Sequence, residues 1–190
     1  ITGVAARADV QRWRARSSAI LPGAGPARVD DPRLTVRLAD GEAFVPALRV
    51  VLDARLDALP VQGHLLDGST PTLILHAEGA QPCDERYARV ERVAVAAPAD
   101  GRIDLDAALA LLAARGVNEL QVEAGPTLCG ALFAANRVDE LLLYVAPILL
   151  GDTARPLLAL PALAEIAAGR RLRVVDERRI GEDWRLLLRE

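Results

Sequence analysis

The sequence predicts an α/β domain on a largely parallel sheet, and three observations carry that expectation. Short aliphatic runs alternate with helix-like segments. Gly, Pro and Asp bound most of the runs. The stretch 117–151 reads as strand, tight turn, helix and strand: Leu120–Val122 ends in Glu123, Gly125-Pro126 turns, a helix-like segment follows, and Leu141–Val145 is the second strand. Such a turn sets backbone N–H groups and the positive end of a helix beside a carboxylate at a strand's carboxyl end. Open α/β sheets bind anionic ligands such as nucleotide phosphates there.

Taken in order, Thr2 caps a helix over about 3–16, with Ala6, Val10 and Trp13 on one apolar face. Ser18–Leu21 is a short strand. Residues 22–32 hold two Gly, three Pro and the pair Asp30-Asp31, which predicts a loop of fixed geometry. Leu34–Leu38 is a short strand, 39–46 a loop, and Leu48–Leu52 a buried strand ending at Asp53-Ala54-Arg55. Residues 56–70 are irregular, Thr72–His76 a strand, 77–90 a polar loop and Val93–Ala96 a strand. Asp104 caps a helix over 105–115, and Gly116 stops it. Beyond Gly151 a long connection, with a helical turn near 161–168, leads to strands 171–178 and 184–188. These form a C-terminal hairpin about Gly181-Glu182-Asp183, which adds an antiparallel edge to the sheet.

At 190 residues a single domain is the default. Hydrophobic residues make up 52% and aromatics 3%, so the core is aliphatic. All 23 basic residues are Arg, interspersed with carboxylates to a net charge of −3. No basic face points to nucleic acid. Cys83 and Cys129 have no metal spacing, and a reducing cytosol is the simplest context. No apolar run is long enough to cross a bilayer, and no signal peptide is visible. The chain has no Met, which leads us to expect a piece of a longer polypeptide.

Glu123 is either a ligand contact or a solvated cap. Gly125, Pro126 and Thr127 offer an anion free N–H groups and a hydroxyl, and the small residues Gly125, Gly130 and Ala131 allow close approach by a backbone or a ligand. The spacing fits neither a dinucleotide fingerprint nor a P-loop. Gly23-Ala24-Gly25 follows a strand with no clear helix after it. Asp30-Asp31 lacks further ligands at metal spacing from His64 or His76. Arg14, Arg37 and Arg55 can each bind phosphate bidentately, although a solvated Arg is the plainer reading for any one of them. No nucleophile elbow, His-centred triad or His/Cys cluster is visible. A site of backbone N–H groups, Arg and isolated carboxylates suits a nucleotide cofactor that supplies the difficult chemistry.

Four phrases resemble the reductase domain of the bifunctional riboflavin-biosynthesis deaminase–reductase. They are Ile1-Thr2-Gly3 running into Ala6-Arg7-Ala8-Asp9-Val10-Gln11-Arg12 and Arg14-Ala15-Arg16-Ser17; Gly23-Ala24-Gly25 with residues 30–37; residues 49–53; and residues 122–132 followed by 138–151. The resemblance implies a dihydrofolate-reductase-like three-layer α/β/α fold with a mostly parallel mixed sheet. It implies a homodimeric cytoplasmic enzyme that uses NADPH to reduce the ribosyl chain of 5-amino-6-(5-phosphoribosylamino)uracil to ribityl. Arg14, Leu34, Arg37 and Glu123 match substrate-contacting positions, the Arg residues holding phosphate or sugar oxygens. Asp30, Gly125, Pro126, Thr127, Leu128, Cys129, Gly130 and Ala131 match cofactor-contacting positions.

The departures are specific. Pro26 stands where the family has a cofactor-contacting Thr, and Pro offers neither hydroxyl nor N–H. Ala54 stands where some members have Ser, with Arg55 beside it for a 2′-phosphate. The family's first strand and a zinc deaminase half are expected ahead of Ile1, so that 1–190 is a single reductase domain lacking both. Two alternatives stay open: a non-catalytic nucleotide-binding or dimerising module of this fold, and a pterin or folate reductase.

Overall fold

The computed structural model describes residues 1–38, 41–98 and 100–190, apart from the side chain of Pro26. Part of the loop predicted over 39–46 therefore lies outside the described residues. The chain forms two compact units, one of residues 13–125 and one of residues 1–12 with 126–190.

The first unit is a parallel sheet of five strands: β1 (Ala19–Pro22), β2 (Leu48–Leu52), β3 (Thr72–Ala77), β4 (Glu91–Val95) and β5 (Leu120–Glu123). Their order is β4-β3-β2-β1-β5. Ile20, Val50, Val51, Leu73, Ile74 and Leu75 have essentially no exposure, as continuous aliphatic runs covered on both faces require. Helix α1 (Val4–Arg16) leads into β1, α2 (Ala24–Asp30) follows it, and α3 (Leu105–Ala114) precedes β5. Asp104 caps α3 by accepting the Ala107 N–H at 3.0 Å, and Gly116, at φ +82°, ends it, both as predicted.

Two predicted elements differ. The loop expected at 22–32 contains α2. Its first bond runs from the Ala27 N–H to the Gly23 carbonyl, and Pro26 sits in the first turn, where a missing N–H costs nothing. Asp31, left-handed at φ 40°, and then Pro32 stop it. No strand forms over 34–38, because Leu34 adopts φ +50°, outside the extended region.

Strands β6 (Leu141–Val145), β7 (Arg173–Ile180) and β8 (Asp183–Arg189) form a separate antiparallel sheet in the order β6-β8-β7, alongside helix α4 (Pro126–Ala134). The predicted hairpin is present as β7–β8. It does not add an edge to the parallel sheet; β8 pairs with β6 instead, placing Leu141 opposite Leu188 and Leu143 opposite Leu186. Such cross-strand aliphatic pairs stabilise the ladder. The start of the chain joins this unit through directional bonds. Gly3 N–H donates to Asp183 at 2.7 Å, and Asp9 accepts from Arg185 at 3.0 Å and from the Tyr144 hydroxyl at 2.6 Å. Arg185 is buried and also donates to Asp176 at 2.6 Å. Burial opposes its charge, but the two carboxylates outweigh that and raise its pKa.

Candidate active site

Strands β1 to β4 step outward on one side of β1, while β5 joins its other side. The carboxyl ends of β1 and β5 therefore lie together where the strand order reverses, the usual ligand crevice of an open α/β sheet. Pro22 is in register with Glu123, so the Gly23 turn and the Glu123 carboxylate share that end.

Glu123 meets Arg14 there. Arg14, in the last turn of α1, donates from Nε to Oε1 at 2.6 Å and from Nη2 to Oε2 at 2.5 Å, a bidentate pair with both side chains mostly buried. Arg14 Nη1 also reaches the Thr35 carbonyl at 3.4 Å, tying the helix to the loop that carries Leu34 and Arg37. Two expected substrate residues, 109 positions apart, are thus brought together.

Leu34 is buried with its backbone left-handed, an uncommon conformation for a side chain of that size. Arg49 holds it there. Only 1% exposed, Arg49 donates to the carbonyls of Arg33, His64 and Thr70 and to the Thr72 hydroxyl. Burial lowers its pKa, against the attraction of Asp67. Arg37 is exposed on the same loop. Sequence reasoning noticed Arg49 only as the first residue of a phrase; an Arg opening an otherwise aliphatic strand was the available signal for an organising charge.

Among the expected cofactor residues, Asp30 is exposed at the end of α2. Pro26 lies within α2, and its side chain is outside the described residues. Asp31 is engaged locally: its carboxylate accepts the His64 N–H at 2.8 Å. No cluster of three or more metal-ligating side chains occurs among the described residues. Ala54 begins the loop after β2, and its carbonyl accepts the Ala77 N–H at 3.0 Å. The preceding Asp53, 2% exposed, accepts N–H groups of Asp57 and Ala58 and the Tyr87 hydroxyl. Burial and this bond raise the Tyr87 pKa. Tyr87, in a segment predicted only as polar loop, therefore braces the Ala54 turn. Arg55 is exposed and paired with Asp57 at 3.3 Å.

Gly125, just ahead of α4, and Pro126, Leu128, Cys129 and Ala131 within it are partly covered, and Thr127 is exposed at the first turn. Of the two readings open for the small residues, the structure supplies a backbone partner at Gly130. A Cβ there would sit 2.8 Å from the Ala159 carbonyl carbon, and the Ala159 N–H donates to Pro126 O at 3.0 Å.

The RibD C-terminal domain model matches residues 1–186. The riboflavin biosynthesis protein RibD of Escherichia coli K12 is 34% identical, over 96% of this chain and 52% of that protein. A 2,5-diamino-6-ribosylamino-4(3H)-pyrimidinone 5′-phosphate reductase of Archaeoglobus fulgidus is 38% identical, over 77% of this chain and 69% of its own length. Among solved structures, Acinetobacter baumannii RibD superposes with TM-score 0.83 at 29% identity, over all of this chain and 51% of that one. The chain thus spans about half the length of the RibD proteins it matches. The dihydrofolate-reductase-like α/β class implied by the four phrases is its fold class. With motifs, strand order and relatives in agreement, the chain belongs to the RibD C-terminal domain family.

Proposed function

We propose that this chain is the reductase part of a riboflavin-biosynthesis enzyme, reducing the ribosyl chain of 5-amino-6-(5-phosphoribosylamino)uracil to ribityl with NADPH. The observation that carries the reading is the Arg14–Glu123 pair at the joined carboxyl ends of β1 and β5. The archaeal relative named as a pyrimidinone phosphate reductase supports the substrate class.

The residues present fit a dinucleotide. At the first turn of α4 the Thr127 and Leu128 N–H groups precede the first intrahelical bonds and the Thr127 hydroxyl is exposed, which suit a phosphate. The family resemblance matches Asp30, Ala54 and residues 125–131 to cofactor-contacting positions, and the cofactor would supply a hydride for C1 of the opened, imine-like sugar. The protein's own task is binding and orientation. Glu123 accepts a polar hydrogen of the substrate, Arg14 fixes that carboxylate, and Arg37 offers its guanidinium to the phosphate.

The rest of the reading is a homodimer in the cytoplasm, with a further strand and a zinc deaminase half ahead of Ile1. Strands β5 and β6 are edge strands of their sheets among the described residues, and an edge strand offers N–H and C=O groups with which a further strand can pair. No helix among the described residues is long and apolar enough to cross a membrane.

The test is substrate-dependent NADPH oxidation by the full-length protein. Glu123→Gln should lower kcat about a hundredfold while the NADPH Kd stays within about twofold. Arg37→Ala should raise the substrate KM about tenfold. Absence of turnover with NADPH in the unaltered protein would overturn the reading.

A further inference from the structure

Glu123 has a second neighbour that neither the motifs nor the relatives assign. Residues two apart on a strand share a face, so Gln121 and Glu123 of β5 project side by side. Arg14 and Ser17, three apart at the end of α1, face them. The Gln121 amide reaches Glu123 Oε1 at 2.7 Å. A carboxylate only accepts, so the nitrogen of the amide faces it and the oxygen faces away. That oxygen accepts from the Ser17 hydroxyl at 3.2 Å, sharing its single hydrogen with the Trp13 carbonyl at 2.9 Å. The order Ser17, Gln121, Glu123, Arg14 is a chain of hydrogen bonds whose direction is set by the guanidinium at its end.

The chain makes the two carboxylate oxygens unequal. Oε1 accepts from Arg14 Nε and from Gln121, while Oε2 accepts only from Arg14 Nη2 among the described residues. A carboxylate oxygen has room for about two donors. Oε1 is therefore filled, and Oε2 keeps one acceptor position.

We propose that Gln121, oriented by Ser17, is a positioning residue that occupies Glu123 Oε1 and so leaves Oε2 as the atom that receives a polar hydrogen of the substrate. Arg14 and Glu123 neutralise one another, so the site they present suits an O–H or N–H donor of the sugar or pyrimidine. A phosphate dianion belongs to another cation, for which Arg37 is placed on the neighbouring loop. This rests on the reductase reading above.

The experiment compares the full-length protein with Gln121→Leu, Ser17→Ala and the double variant. The readouts are substrate KM, kcat, NADPH Kd and the thermal midpoint. Gln121→Leu should raise the substrate KM about tenfold and lower kcat by much less than the roughly hundredfold expected of Glu123→Gln, with NADPH Kd within about twofold. Ser17→Ala should act in the same direction by less, and the double variant should match Gln121→Leu alone, because both changes cut one chain. An unchanged KM in Gln121→Leu overturns the proposal. So does a parallel loss of substrate affinity, NADPH affinity and thermal midpoint, which is what a packing role would give. If the unaltered protein shows no turnover, the reductase reading fails. Calorimetric titration with the same phosphoribosylaminouracil then tests Gln121 by itself: a tenfold weaker Kd in Gln121→Leu supports it, and equal Kd or no binding overturns it.

Discussion

The parallel-sheet unit and the antiparallel-sheet unit are held by different physics. In the first, Ile20, Val50, Val51, Leu73, Ile74 and Leu75 are excluded from water, and each contributes roughly 1.5–3 kcal/mol of burial. Its buried charges, Arg49 near the amino end of β2 and Asp53 just past its carboxyl end, direct their hydrogen bonds to the loops that connect the strands. In the second, β7 is largely exposed, and β8 is anchored through the buried polar residues Asp183 and Arg185. Aliphatic burial is non-directional and supplies stability. Ion pairs and hydrogen bonds are directional, and they decide which atoms are brought together.

The two tryptophans allow the units to be read separately, since Trp13 belongs to one and Trp184 to the other. Single-tryptophan variants under denaturant would follow each. The largest effect is expected from Ile74→Ala, which should cost about 4 kcal/mol by leaving a cavity in the parallel sheet. The Trp13 transition should register it in full. Asp9→Ala should cost about 3 kcal/mol, because it breaks a mostly buried ion pair with Arg185 and removes the acceptor of the Tyr144 hydroxyl. The Trp184 transition should register that one. Equal shifts of both transitions with either variant would show that the units unfold as one.

Gly130→Ala should cost about 2 kcal/mol, since the new methyl meets the Ala159 backbone rather than the end of a flexible side chain. Unchanged stability there would mean that the 159 segment yields easily. The smallest effect concerns acid. The hydrogen bond from Arg185 holds the Asp176 carboxyl below its ordinary pKa. A depressed folded pKa means that the folded state binds fewer protons than the unfolded state. The resulting stability is present above about pH 4 and is lost as pH falls toward the folded value. Asp176→Asn should flatten the acid side of the stability profile of the β6–β8 unit.

Much of the candidate site is legible in the residues alone. Glu123 stood out because a carboxylate ended an aliphatic run just before Gly-Pro, and α3 was bounded by its own cap and stop. Other features were not, for identifiable reasons. Helix α2 was hidden because Gly and Pro are read as breakers, whereas Pro26 occupies a first-turn position that needs no N–H donor. Residues 34–38 read as a short strand, but Leu34 is left-handed and the preceding Arg33 carbonyl is held by Arg49, a bond from a distant strand. The hairpin's partner strand was misjudged because pairing between distant strands leaves little trace in local pattern.

The sequence alone determined the strands of the parallel sheet, the boundaries of α3, the strand–turn–helix about Glu123 and the family likeness. Each rests on local periodicity, capping chemistry or a short phrase of residues, all of which act over a few positions. The tertiary structure decided that Arg14 grips Glu123 across 109 residues, that Gln121 fills one of its oxygens, that Arg49 fixes the Leu34 loop, and that the space at Gly130 goes to Ala159. Those outcomes depend on directional bonds between segments far apart in the chain. Only the folded backbone brings such donors and acceptors within reach.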